Sequence, residues 1–443
     1  MQGYVHRVGV LGLLGLLGLC TASGSLSAQD ITLRLHGSNT VGGALAPALV
    51  EAWAAERGYG PLETMIQAAE ERSLIGRDGE GRRIRVDIHS HGSSTGFADL
   101  LAGQAELWMS SRPVRRDEVD RARALGRLDH PDQEHVVALD GLAMVVAPGN
   151  PVNELDLAQV QGLFSGRITD WAQLGGRPGE VRLYARDDKS GTFDTFQTLV
   201  LGEARLRADA RRFESNAELT RAVAMDTQAI GFTGLAAVGS AKPLAVHAEQ
   251  TQPLLPSSTV VATEDYLLAR RLYFYHAKEP SALLRSLIEF ALSEPGQRIV
   301  ERVGYVPLRI EAVTESARPG VPTEYAELIS GAQRLTLNFR FGSGLSLLDS
   351  KAERDIARLV AFMREPANAE RELVIAGFAD SSEGTPFFSL SLSNDRVDYV
   401  AERLGKAGLN PRGAIGFGGA VPVAPNSSEL GRLKNRRVEV WLR

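Results

Sequence analysis

Three short turns rich in Ser, Thr and Gly stand out for what they can bind. They are Gly37-Ser38-Asn39-Thr40, Gly92-Ser93-Ser94-Thr95-Gly96 and Lys189-Ser190-Gly191-Thr192, and each follows a strand-like run and precedes a helix-like one. Such a turn presents backbone N–H groups beside one or two hydroxyls, the donor set an oxyanion needs. A Ser or Thr before a helix also has an ordinary use as an N-cap, so one turn alone says little. Arg186 lies four residues before Ser190, and its planar fork can hold two oxygens of a tetrahedral anion. Together the turns and Arg186 point to an oxyanion site.

Two other chemistries compete. Gly92-Ser93-Ser94-Thr95-Gly96 fits G-x-S-x-G, the nucleophile elbow, with Ser94 as nucleophile and His36-Gly37 upstream for an oxyanion hole. An esterase triad then needs an Asp and His247 or His276. That reading leaves Lys189–Thr192 unexplained, and so short a motif often arises without the chemistry, so no enzyme is expected. His89 and His91 share one face of a strand, but two ligands without a third do not make a metal site, and a structural or surface role is expected. Trp108 and Trp171 read as core or lobe-surface aromatics. Neither metal nor cofactor is implied.

The elements that carry these turns alternate. Residues 31–37 read as a strand and Ala44–Ala55 as a helix with Leu45, Leu49, Val50 and Trp53 on one face. Residues 83–91 form another strand and Phe97–Gly103 a short helix. The apolar run 135–151 is too long for one ordinary strand and is interrupted at Asp140-Gly141. The alternation predicts α/β architecture with mainly parallel sheets, in two lobes because about 280 residues is large for one core.

Composition narrows the class. The 443 residues carry 49 Lys+Arg against 54 Asp+Glu, a net charge of −5, which is wrong for a nucleic-acid binder. The single cysteine, Cys20, excludes disulfide frameworks and Cys-based zinc sites. Residues 1–28 read as a signal peptide: Arg7, an apolar run from Val8 to Leu19, then Ser25, Ser27 and Ala28. Leu19 stands where a lipidation signal carries a small residue, so Cys20 is not expected to be lipidated. Residues 311–334 have linker composition. They separate a region whose net charge, counted over 29–334, is −8 from a region 335–443 at +2. A net-acidic region gathers no anion by its long-range field, so binding must come from local donors and a buried Arg.

Seven segments within 31–310 occur in order: "GSNTVGGALAPALVEAW", "VDIHSHGSSTGFADLLAGQAELWMSSRPV", "LDGLAMVVAPGNP", "LFSGRITDWAQLGG", "YARDDKSGTFDTF", "AIGFTGL" and "EPGQRIVERVGYVPL". In this the chain resembles the PstS-like periplasmic phosphate-binding proteins of ABC importers. The resemblance implies a two-lobed periplasmic-binding-protein fold of type II over 29–310, with anion bound between the lobes. It assigns the ligand groups to Ser38 and Thr40, to Ser93, and to Arg186, Ser190, Gly191 and Thr192, with Ser111 also in the site. Where phosphate-binding members often carry an Asp that accepts the proton of hydrogen phosphate, this chain has Ser110-Ser111-Arg112. A hydroxyl accepts that proton but does not repel a fully deprotonated anion, which puts the preference for phosphate over sulfate in question.

Residues 335–443 read as a small α+β unit. The strand-like run "LTLNFRFGSG" (335–344) leads to a helix Asp349–Arg364 with Ala352, Ile356, Leu359 and Met363 inward. A second helix, Leu392–Gly405, carries Val397, Val400 and Leu404. With "IAGFADSSEG", "LSNDRV" and "GRLKNRRVEVWL" this region resembles the OmpA-like peptidoglycan-binding domain. The resemblance implies that Asp380 and Arg396 hold the diaminopimelate of the stem peptide, while Asn435, Arg436 and Arg437 are partly structural. It departs from the family at Phe378-Ala379, at Ser389 and by one extra residue between Asp380 and Arg396. The expected protein is a periplasmic phosphate-type receptor held at peptidoglycan or the outer membrane of a Gram-negative cell, with an ABC importer as the implied partner. The alternatives are a structural wall-binding protein with a vestigial anion cleft and the Ser94 esterase.

Overall fold

The structure is a computed structural model that describes residues 31–188, 190–249, 251–315, 320–341 and 347–443. The signal-peptide and Cys20 readings fall outside the described residues. Alternation is cleanest in Arg83–His89, where Ile84, Val86 and Ile88 are fully buried and the residues between them are not. This strand runs parallel to Ile31–Gly37, which runs parallel in turn to Leu107–Ser110. The helix after the first turn begins with a π-helical stretch, Val41–Leu45, and continues as Ala46–Glu56 with Leu49, Val50 and Trp53 buried.

The long apolar run is one strand, Glu134–Val146, that serves two lobes. From Glu134 to Gly141 it pairs with Ala269–Tyr275, and from Leu142 to Val146 with Ala229–Gly234. The change of partner falls beside Asp140-Gly141, which explains both its length and its interruption. The eleven-stranded sheet is therefore mixed rather than mainly parallel. Parallel pairing holds inside each lobe, while the crossing strands and an edge hairpin, Glu63–Ala68 with Glu71–Arg77, are antiparallel. One core gathers Leu35, Trp53, Val86, Met109 and Phe274. Another gathers Phe164, Trp171, Leu183, Phe196 and Phe232. Among the described residues no helix is long and apolar enough to cross a membrane.

The C-terminal unit is a five-stranded sheet under two helices, Ser350–Met363 and Pro386–Lys406. All seven residues expected to point inward do so. The second helix starts earlier than its periodicity suggests, because Thr385 caps the Phe388 N–H and Pro386 takes the first helical position. Residues 311–334 are more than a linker. Ala312–Val313 extends the sheet against Gln333–Arg340, and Thr323–Leu328 lays Tyr325 on Phe378 and Trp441.

Charged groups join this unit to the lobes. Arg271 pairs with Glu264 at 2.7 Å and with Asp349 at 2.8 Å. Arg340 and Asn338 donate to the Thr263 carbonyl, each at 2.7 Å, and Lys434 to that of Tyr266 at 2.6 Å. Burial opposes ionisation of Glu264, but Arg271, Lys351 and Arg340 outweigh it and hold the carboxyl at about 2.

Candidate functional site

The first turn hangs from the strand ends of one lobe. Ser38 N–H donates to the Met109 carbonyl at 2.9 Å, and Ser38 Oγ accepts the Thr40 N–H at 3.2 Å. The third turn belongs to the other lobe, where Ser190 Oγ accepts the Thr192 N–H at 3.2 Å as an N-cap does. The two turns meet. Thr40 Oγ1 lies 3.2 Å from the Gly191 carbonyl, and a Cβ on Gly191 would come within 2.4 Å of Thr40 Cα. Glycine alone allows that approach. The second turn joins through Ser111, whose N–H donates to Ser93 Oγ at 3.1 Å and whose hydroxyl donates to Asp194 Oδ2 at 3.1 Å.

The guanidinium at this meeting point is Arg270. Its side chain is 6% exposed, with Nη2 donating to Thr40 Oγ1 at 2.6 Å and to the Gly191 carbonyl at 3.0 Å. Nη1 reaches Asp194 and Nε reaches Asp140, both at 3.2 Å. Thr195 also donates to Asp140, and Tyr305 Oη donates to the Thr40 carbonyl at 2.7 Å. Five residues of this cluster were not expected: Arg270, Asp140, Asp194, Thr195 and Tyr305. For Arg270 and Asp140 a signal existed, since each is a charge set inside an apolar strand.

Arg186 is placed differently from the expectation. Its Nε donates to the Phe213 carbonyl at 3.2 Å and Nη2 to that of Glu214 at 2.6 Å. Burial pulls this guanidinium below the usual arginine range, with Asp187 partly offsetting it. Arg186 thus buttresses the neighbouring strand, Arg211–Phe213, and its bonds do not reach the three turns. Thr192 Oγ1 faces Asn216 at 3.4 Å. Of the expected residues, Ser38, Thr40, Ser93, Ser111 and Gly191 join one network.

Ser94 shows no triad. Its hydroxyl accepts from Arg112 at 3.3 Å, His247 lies 3.8 Å from Asp156, and His276 lies 2.8 Å from His135. His89 stacks on His36 at 4.0 Å and His91 pairs with Glu71 at 2.8 Å. Among the described residues no group of three or more His, Cys, Asp or Glu is placed to hold a metal.

In the C-terminal unit Asp380 and Arg396 are 0% and 6% exposed, and both are already engaged. Asp380 Oδ2 accepts from Arg436 Nε at 2.6 Å, while Oδ1 takes the Ser382 N–H at 2.8 Å and the Ser382 hydroxyl. Burial works to raise the Asp380 carboxyl, but Ser382 and Arg436 outweigh it and hold it below the usual range. Arg396 forks onto Glu383 at 2.6 and 2.9 Å. Asn435 staples the Val423–Asn426 loop with four hydrogen bonds, a structural role.

Comparison with known proteins agrees with this architecture. Residues 61–295 match the PBP superfamily domain, and 340–436 match the OmpA family. The chain is 28% identical over 284 residues to Protein SphX of Synechococcus elongatus, covering 57% of this chain and 82% of that one. It is 26% identical over 261 residues to the phosphate-binding protein PstS of Bacillus subtilis, covering 59% and 82%. A solved structure described as a possible phosphate binding protein from Planctomyces limnophilus superposes with a TM-score of 0.51 at 23% identity. It covers 63% of this chain and 93% of that one, and it shows the fold.

Proposed function

The chain belongs to the PBP superfamily and carries an OmpA-family domain, and from that premise we propose that it is a periplasmic receptor for a phosphate-type oxyanion, held at the cell wall through peptidoglycan. The observation that carries the anion half is the convergence on Arg270. Hydroxyls of Thr40, Ser93 and Ser111 from one lobe, the Gly191 turn from the other and a nearly sealed guanidinium meet where a tetrahedral anion needs several donors at once. Relatives that are phosphate-binding by name support the choice of anion. The receptor acts in phosphate capture, uptake or sensing; delivery to an ABC importer is the uptake form of the proposal. Asp380 and Arg396 form the wall half, taking the ammonium and carboxylate of a diaminopimelate stem peptide.

Equilibrium binding of radiolabelled phosphate to the 29–443 protein, with sulfate as competitor, tests the anion half. Saturable binding supports it. Its absence favours the second reading, a structural wall-binding protein with a vestigial cleft, for which the commitment of Arg186 to backbone carbonyls speaks. Sedimentation with diaminopimelate-type sacculi tests the wall half.

A further inference from the structure

Glu383 occupies the place where a bound carboxylate would sit. Its oxygens take the Arg396 fork at 2.6 and 2.9 Å, Oε2 accepts the Asp380 N–H at 3.1 Å, and Oε1 lies 3.2 Å from Arg436 Nε. Asp380, Arg436, Glu383 and Arg396 thus alternate in charge, with side chains 0%, 11%, 16% and 7% exposed. Glu383 lies between the strand Leu373–Phe378 and the helix Pro386–Lys406, within the stretch that holds the extra residue. It is followed by Gly384 at φ +119, a conformation that favours glycine.

We propose that Glu383 is a built-in occupant of the Arg396 half-site, so that the wall site admits ligands bearing both an ammonium and a carboxylate and refuses lone carboxylates. This rests on the reading of Asp380 and Arg396 as the peptidoglycan site. A guanidinium fork accommodates one carboxylate in bidentate geometry, so nothing docks there until Glu383 leaves. A tethered carboxylate competes at an effective concentration of roughly millimolar or above, which a dilute single-charge ligand does not overcome. A zwitterion differs. Its carboxylate replaces Glu383 on Arg396, Glu383 keeps Arg436, and the ammonium adds a pair with Asp380. The exchange thus conserves the arginine pairs and gains one new contact.

The test uses the 29–443 protein and two probes: a stem peptide containing diaminopimelate, and the same peptide acetylated on the diaminopimelate amine. Calorimetry on wild type should show binding of the free-amine peptide and little of the acetylated one. Glu383→Ala should bind both about 10-fold or more tighter, as expected when a tethered competitor is removed. The ratio between the two peptides should stay the same, since both displace the same carboxylate and differ only in the Asp380 contact. Glu383→Gln keeps the shape of the side chain and should move the same way, with thermal melting confirming that both variants fold. Binding that is unchanged or weaker in both variants would make Glu383 a positioning residue for Arg396 and overturn the proposal. If no variant, wild type included, binds peptide or sacculi, the wall-site reading itself falls and takes the proposal with it.

Discussion

Arg270 and Asp194 share an ion pair but carry different weights. Arg270 is the partner of Asp140, a carboxylate 8% exposed, whereas the Asp194 side chain is 52% exposed. Removing one member of a buried pair costs ~3–5 kcal/mol, while a half-exposed pair contributes under ~1 kcal/mol. Urea unfolding should therefore show Arg270→Ala losing several kcal/mol and Asp194→Asn almost nothing. If the cleft binds the proposed anion, Asp194 is expected to act on selectivity instead. It brings a carboxylate from the opposite lobe to within 3.1 Å of the Ser111 hydroxyl, so the negative charge absent from position 111 returns from elsewhere in the chain. A carboxylate beside the anion repels one that bears no proton. Sulfate should compete poorly against phosphate in wild type and several-fold better in Asp194→Asn; equal competition in both proteins would remove Asp194 from the site. Ser111 alone suggested weak discrimination, because a sequence does not say which side chain of one lobe will face a gap in the other. The contacts of Arg186 were hidden for a related reason: its spacing from Ser190 is legible, but the carbonyls of Phe213 and Glu214 that hold its fork lie at the end of a strand that only folding brings alongside.

At the scale of elements, helices were the most legible. The inward faces of Ser350–Met363 and Pro386–Lys406 follow from a 3.6-residue period, which is local information. Strand direction was not, since pairing such as Glu134–Val146 with Ala269–Tyr275 is set by contacts some 130 residues apart, as between Asp140 and Arg270. That second strand places Arg270 toward the cleft and Arg271 toward the C-terminal domain, on opposite faces as neighbours in a strand must be. Where Glu134–Val146 begins, a histidine pair joins the same contact. Arg354 Nη2 donates to His135 Nδ1 at 2.9 Å, so His135 Nε2 carries the proton and donates to His276 Nε2, whose Nδ1 donates to the Ala277 carbonyl. Both rings are thereby held neutral. Burial, then the Arg354 charge, pulls His135 down to about 2, and burial lowers His276 as well. Each takes up a proton on unfolding, so their contribution is whole above the unfolded value of about 6.5 and is lost as pH falls below it. At pH 5 the loss from His135 should reach ~2 kcal/mol, and His276 adds to it in the same direction. Thermal melting across pH 8 to 5 should show this decline, shallower in His135→Gln; a pH profile identical in the variant would contradict the assignment.

In the whole molecule a buried polar and charged seam joins the lobes to the C-terminal unit. Arg340, Asn338, Lys434 and Asp349 all reach across it. The C-terminal unit also draws on residues before 335, because Tyr325 packs on Phe378, Phe417 and Trp441 and donates to Glu439 at 2.7 Å. Burying an aromatic side chain contributes ~2–3 kcal/mol, and each kcal/mol shifts the melting point of a domain this size by roughly 4–8 °C. A fragment beginning at 311 should therefore melt about 10 °C or more above one beginning at 335. Equal melting points would return 311–334 to the role of linker. Anion binding between the lobes turns on one hydroxyl, that of Thr40, which elements of both lobes contact. Phosphate should be titrated calorimetrically into the 29–443 protein and into Thr40→Val, which keeps the shape of the residue while removing the group that Arg270 and Gly191 contact. Wild type should bind saturably, and Thr40→Val should lose about 10-fold or more in affinity, as for a hydrogen bond to a charged group. Equal affinity in the two folded proteins, or no binding by wild type, would contradict anion binding between the lobes.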